Sequence, residues 1–306
     1  MSNELSNPVF KDETKARKWL ESHLWPDGPV CGHCGVVNDA TALDTRPGLY
    51  QCNACRRQFT VTVGTVFERS HIPLTKWLMA AFLICASKKG MSALQLSRML
   101  GVSYKSTWFM MHRIREAMRD GQLAPIGGQG KVVEADETVV GGKAKNRAYK
   151  PEPKKHLVMS LVERDGEVRS FHIKDATAKT LAATARKVAD RKSYLMTDEN
   201  KAYVKLGKEY SGHGTVNHSA NEYARLGNWI HVNTAEGYFS IFKRGIVGVY
   251  HHISEQHLDR YLAEFDFRYN NRVRLGVNDV ARSKKLLKGI VGKRLTYRRL
   301  DKAAHA

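Results

Sequence analysis

Lys131-Val-Val-Glu134-Ala-Asp136-Glu137-Thr138 decides how the rest of the chain is read. A short run of branched residues that stops on a carboxylate has the pattern of a buried strand delivering Asp136 to the edge of a sheet. Ser193-Tyr-Leu-Met-Thr197-Asp198 repeats the design. Asn233-Thr-Ala-Glu236-Gly-Tyr-Phe-Ser-Ile-Phe-Lys243-Arg244 then opens a helical pattern with a third acid in its first turn. Two strand-end aspartates and one helix glutamate can converge on one point. Such a cluster suits magnesium or manganese, hard cations that take oxygen ligands and supply the missing counter-charge. Each acid taken alone reads as a solvated surface carboxylate; the ordered trio reverses that reading. Glu134, two residues before Asp136, shares its strand face and is a second candidate ligand, although the strand terminus favours Asp136.

Working outward, residues 156–162 and 167–173 alternate as two more strands, joined by Glu163-Arg-Asp-Gly166, a hairpin signal. A helix over 177–191, the strand ending at Asp198, a helix over 199–206, a short strand near 215–218 and the Glu236 helix follow. This order predicts an α/β domain, a mixed sheet with flanking helices. An amphipathic helix over 258–271 closes it. The basic loop Gly141-Gly-Lys143-Ala-Lys-Asn-Arg lies beside the first acid, so Lys143 is a candidate phosphate contact, with a solvated turn as the alternative.

Toward the N-terminus, residues 121–130 form a Gly/Pro-containing linker, and residues 74–119 take a helical period. Ser92-Ala-Leu-Gln95 has the form of a capping box. Two helices around Leu100-Gly101-Val102-Ser103 match a helix-turn-helix, with Ser103, Tyr104, Lys105 and Ser106 toward DNA and Trp108, Met111 and Ile114 toward the core. The alternative is an ordinary three-helix bundle with a basic face. Cys85, on an apolar stripe, reads as core. Cys31-Gly-His-Cys34 and Cys52-Asn-Ala-Cys55, separated by residues 35–51, fit a two-knuckle zinc site. Four thiolates complete a tetrahedron and leave no position for substrate, so this zinc is structural, and His33 is not needed as a ligand.

Lys+Arg total 50 against Asp+Glu 30, a net charge of +20 with a pI near 9.8, which points to a polyanionic partner, foremost nucleic acid. No apolar run reaches the roughly 20 residues of a membrane span, and the first residues lack a signal-peptide pattern. A cytoplasmic protein is expected. The divisions expected are 1–70 (an N-terminal helix and ribbon), 71–124 (the helix-turn-helix), 125–281 (the acid-bearing domain) and 282–306 (a basic tail).

Taken together, the knuckles, the helix pair, Glu134-Ala-Asp136-Glu-Thr with Gly-Gly-Lys143, Thr197-Asp198-Glu-Asn-Lys-Ala-Tyr, Asn217-His-Ser and the Glu236 motif resemble the DDE insertion-sequence transposases with an N-terminal zinc ribbon, of the ISXO2-like branch. The resemblance covers nearly the whole chain. It implies a ribonuclease-H-like catalytic domain, two catalytic Mg2+ (or Mn2+) ions held by Asp136, Asp198 and Glu236, and cutting and insertion of DNA at an element's ends. Lys243, two helical turns after Glu236, would reach the phosphate beside the metals, with Arg244 next to it on the nucleic acid. The implied partners are double-stranded DNA, both terminal inverted repeats and target, and further copies of the chain, at least a dimer on DNA. Nucleoid association would follow from DNA binding. Two rival readings are a non-catalytic zinc-ribbon and helix-turn-helix regulator, and a structure-selective nuclease on the same catalytic fold.

Overall fold

In a computed structural model that describes residues 4–119, 121, 124–141 and 154–296, Asp12 opens the first helix by accepting the backbone N–H groups of Thr14 and Lys15 at 2.8 and 3.0 Å. That cap satisfies two of the donors a helix start leaves free. Helix α1 (Glu13–Leu24) buries Ala16 and Leu20. Three short antiparallel strands follow, β1 (Ala40–Ala42), β2 (Tyr50–Cys52) and β3 (Gln58–Phe59). Past β3 the chain turns, with Val63 N–H donating to Thr60 O at 3.0 Å. Helices α2 (Leu74–Ala86), α3 (Ala93–Leu100) and α4 (Tyr104–Met118) come next. Gly101 joins α3 to α4 at φ +61°, in the left-handed region where a residue without Cβ has no steric penalty. Ser92 and Ser103 cap the two helices through Gln95 N–H and Ser106 N–H.

The chain divides into two compact units: Met1–Arg119 with Asn278–Ala306, and Asp120–Val277. Residues 282–288, expected as the start of a basic tail, lie instead in helix α9 (Asp279–Lys288), capped by Asn278 and packed in the first unit. Leu286, Leu287 and Ile290 are buried, and Arg282 Nη1 donates to Cys85 O at 2.7 Å. The apolar spacing within the basic run therefore outweighs its charge. Residues 297–306 lie outside the described residues, as does the 142–153 loop with Lys143.

The second unit is built on β4 (Val132–Gly141), β5 (Lys155–Glu163), β6 (Val168–Ile173), β7 (Tyr194–Thr197) and β8 (Gly212–Thr215), in the order β6-β5-β4-β7-β8. The first three pair antiparallel, while β7 runs parallel to β4 and β8 parallel to β7. Strand alternation divides the faces. Val133, Ala135, Met159 and Leu161 pack under α5 (Ala178–Val188) and α6 (Tyr203–Gly207). Val140, Val158 and Val162 pack under α7 (Asn233–Gly245) and α8 (Glu255–Asn270). Phe242 and Phe265 join α7 to α8 edge-on at 5.0 Å, and full burial of each such ring stabilises the fold by about 2 kcal/mol. The hairpin between β5 and β6 turns at Asp165 (φ +58°), as its Asp-Gly signal implies. Among the described residues no helix is long and apolar enough to cross a membrane.

Candidate active site

Asp136 does not end its strand, because β4 continues to Gly141. What ends there is the neighbour: β4 pairs with β7 only from Val132 to Glu134, the last of these opposite Met196. Continuing that register by two residues sets Asp198, the residue after β7, beside Asp136. The β4 ladder to β5 continues, so the aspartate sits on a supported strand next to a gap. Its Oδ1 accepts Glu137 N–H at 2.7 Å. Burial pushes its carboxyl up to about 6 against that hydrogen bond, and the charges of Asp198 and Glu236 raise it further.

Glu236 lies in the first turn of α7, half exposed, with His218 Nε2 at 3.5 Å from its Oε1. His218 begins a short 3-10 turn (His218–Ala220) that Glu199 holds in place. Glu199 accepts His218 N–H at 2.9 Å, Ser219 N–H at 3.2 Å and the Ser219 hydroxyl at 2.6 Å. The residue after Asp198 thus anchors the turn that faces Glu236. Asp198 Oδ1 accepts Asn200 N–H at 3.1 Å, which fixes the chain as it leaves β7.

Glu134, the second candidate ligand, is fully buried and committed elsewhere. Its carboxylate accepts Thr234 N–H at 2.8 Å, Ala235 N–H at 3.0 Å and the Thr234 hydroxyl at 2.9 Å, so a strand residue caps α7. Arg164 Nε donates to it at 2.6 Å, while the Arg164 Nη groups donate to the carbonyls of Trp229 and His231 at 2.7 and 2.9 Å. His231 Nδ1 stands 3.1 Å from the same carboxylate. This buried cluster holds the start of the helix that carries Glu236.

Glu137, which the sequence did not single out, adds a fourth acid. It points to the opposite strand face, receives the Tyr203 hydroxyl, and is pushed up to about 7 by burial, with the charges of Asp198 and Asp136 contributing. Its adjacency to Asp136 was visible, but its role depended on Tyr203, distant in sequence. Lys243 and Arg244 are exposed on α7, and Arg244 Nε donates to Ser240 O at 3.0 Å.

Asp136, Asp198 and Glu236 offer an all-oxygen donor set in which the charges of Asp198 and Glu236 disfavour the ionised Asp136, a set suited to a hard divalent cation. Their ligand atoms are not drawn within 4.8 Å of one another as a trio. The four cysteines are. Cys31 Sγ lies 3.7 Å from Cys55 Sγ and Cys34 Sγ 3.7 Å from Cys52 Sγ, with His33 N–H and Cys55 N–H donating to sulfur at 3.4 Å. His33 turns its Nε2 to Gln58 O at 3.2 Å, away from the quartet. Trp25, Tyr50 and Phe59 pack edge-on and stacked beside it.

At the start of α4, Ser103 is the cap and donates to the Ser106 hydroxyl at 3.0 Å. Tyr104 is 56% exposed, and Lys105 and Ser106 are exposed beside it, while Met111 and Ile114 are buried and Trp108 is half-buried.

Cysteine knuckles on a small antiparallel sheet and acids on a mixed sheet define a two-part protein, a zinc-binding module joined to a carboxylate-bearing domain. Residues 127–270 match the ISXO2-like transposase domain and residues 11–58 the transposase zinc-ribbon domain, together well over half of the chain. The chain belongs to this family of insertion-sequence transposases. It is also 27% identical, over 85% of its own length and 92% of the relative's, to an uncharacterized protein in transposable element ISH50 of Halobacterium salinarum.

Proposed function

We propose that the protein binds the terminal repeats of an insertion sequence, cleaves the DNA at the element's ends and joins the freed 3′-hydroxyls to target DNA. What supports this reading is the register that sets Asp198, just past one strand, beside Asp136 on its neighbour, with Glu236 in the first turn of a capped helix near enough for its charge to raise the Asp136 carboxyl, in a domain of the transposase family. In this reading the second unit is ribonuclease-H-like, and the three acids hold two Mg2+ or Mn2+ ions. Such ions, when bound, activate the attacking oxygen and stabilise the leaving 3′-oxygen. Lys243 and Arg244 on α7 bind the phosphate backbone near Glu236. Glu134 and Arg164 fix the helix so that Glu236 does not have to be ordered when DNA arrives. Helix α4 is the recognition helix of a helix-turn-helix, presenting Ser103, Tyr104, Lys105 and Ser106 to a groove. Zinc in the cysteine quartet is structural. Joining two ends requires two copies of the chain on DNA.

The test is incubation of the full chain with a labelled duplex bearing the element's terminal repeat and target plasmid, with Mg2+ or Mn2+. Joined product supports a transposase. Cutting without joining supports a structure-selective nuclease, and binding without either supports a regulator.

A further inference from the structure

The sheet of the second unit carries another donor cluster, built from residues that neither the acids nor the cysteines involve. His156 lies near the start of β5, His172 near the end of β6 and Glu255 in the first turn of α8. Val158 pairs with His172, so His156 and His172 are diagonal neighbours on one face of an antiparallel ladder. That face is the one α8 covers, since Val158 packs with Leu258 and Leu262. The two rings meet edge-on at 5.4 Å. One ligand atom from each of His156, His172 and Glu255 lies within 4.8 Å of the other two, a property shared among the described residues only by the cysteine quartet.

An edge-on histidine pair can pack without a metal. Packing alone leaves the polar atoms unexplained. Both imidazoles are half-buried, and among the described residues none of the three side chains makes a hydrogen bond that would occupy its ligand atoms. None of these ligand atoms is sealed from water, so all three stand open to an incoming ion. Two imidazoles and one carboxylate are a donor set that suits zinc and its neighbours rather than magnesium, and three protein ligands leave a fourth tetrahedral position to water.

We propose that His156, His172 and Glu255 bind a divalent transition metal of the zinc type, which pins the first turn of α8 to β5 and β6. The metal is distinct from the ribbon zinc and from any magnesium at the three acids. It acts on the fold: α8 packs on β6 and, through Phe265, against Phe242 of α7. The site exists whether or not the protein cuts DNA.

The experiment is zinc content by mass spectrometry on the full chain, stripped, reloaded with Zn2+ and desalted, for wild type and for His156→Ala/His172→Ala. The variant is expected to hold one zinc fewer per chain while keeping the ribbon zinc; equal content in the two proteins overturns the proposal. Glu255→Gln, on an exposed residue, guards against misfolding of the double variant. It is expected to weaken the affinity for the second zinc, read by chelator competition, by about tenfold or more, the loss that even outer partners of a metal typically cause. Unchanged affinity overturns the proposal.

Discussion

Arg164 Nε and Glu134 Oε1 meet at 2.6 Å in the interior of the second unit, and the same carboxylate caps α7 through Thr234 and Ala235. A charge withdrawn from water is tolerable only when every lone pair is used. Here the guanidinium, two backbone N–H groups and a hydroxyl use them. One buried acid thereby sets where the helix bearing Glu236 begins, and its hydrogen bonds commit it to that cap.

Removing one partner from this cluster leaves the other buried and unpaired. Glu134→Ala should therefore destabilise the second unit by about 3–5 kcal/mol, measured by urea denaturation. Glu134→Gln keeps an acceptor for the helix N–H groups and should cost less. Equal stability of wild type and Glu134→Ala would show that α7 starts without this cap.

The Asp266 carboxyl, pushed up to about 6 by burial against hydrogen bonds from Tyr238 and Ser170, gives a pH dependence of defined sign. An unfolded aspartate releases its proton near pH 4. Between there and about 6 the folded state holds a proton that the unfolded chain has lost, so stability falls as pH rises through that window. The difference between wild type and Asp266→Asn, followed by denaturant titration at several pH values, should show that downward slope and level off above it.

The first-turn residues of α4 make a prediction about DNA. Lys105→Ala should weaken terminal-repeat and unrelated DNA alike and reduce the slope of log K against log salt by about 0.9, one phosphate contact. Binding titrations across salt concentrations read both. An unchanged slope would remove Lys105 from the phosphate contacts.

Zinc should be required for the ribbon and not for the helices behind it. Cys52→Ser breaks the quartet at a buried position and should open residues 31–59 to limited proteolysis. Retention of α2, α3 and α4 as a protected fragment is the expected companion result. Loss of the whole first unit would mean that the metal holds more than its own sheet.

Much of this architecture was legible because local patterns and tertiary demands agreed. The doubled Cys-x-x-Cys, the Asp-Gly hairpin and the serine cap of α3 each state their structure within a few residues. Asp136 and Asp198 were found as strand-end acids, yet β4 runs past Asp136, and the gap beside it comes from β7 stopping short. Strand length is set by neighbours, which a single segment does not encode. The commitment of Glu134 was hidden for the same reason, since its partners Arg164 and Thr234 are remote in sequence. His156 and His172 become neighbours only through the β5–β6 register. The helix α9 was masked by composition, because counting Lys and Arg hid the spacing of Leu286, Leu287 and Ile290.

The central claim, that Asp136, Asp198 and Glu236 form one catalytic site, is tested most directly by strand joining from a pre-cleaved terminal repeat with a free 3′-hydroxyl. Wild type would be compared with Asp136→Asn, Asp198→Asn, Glu236→Gln and Glu137→Gln, each first shown to bind the repeat. The first three are each expected to abolish joining, while Glu137→Gln retains it. Joining by any of the first three, or its loss in Glu137→Gln alone, would contradict the assignment.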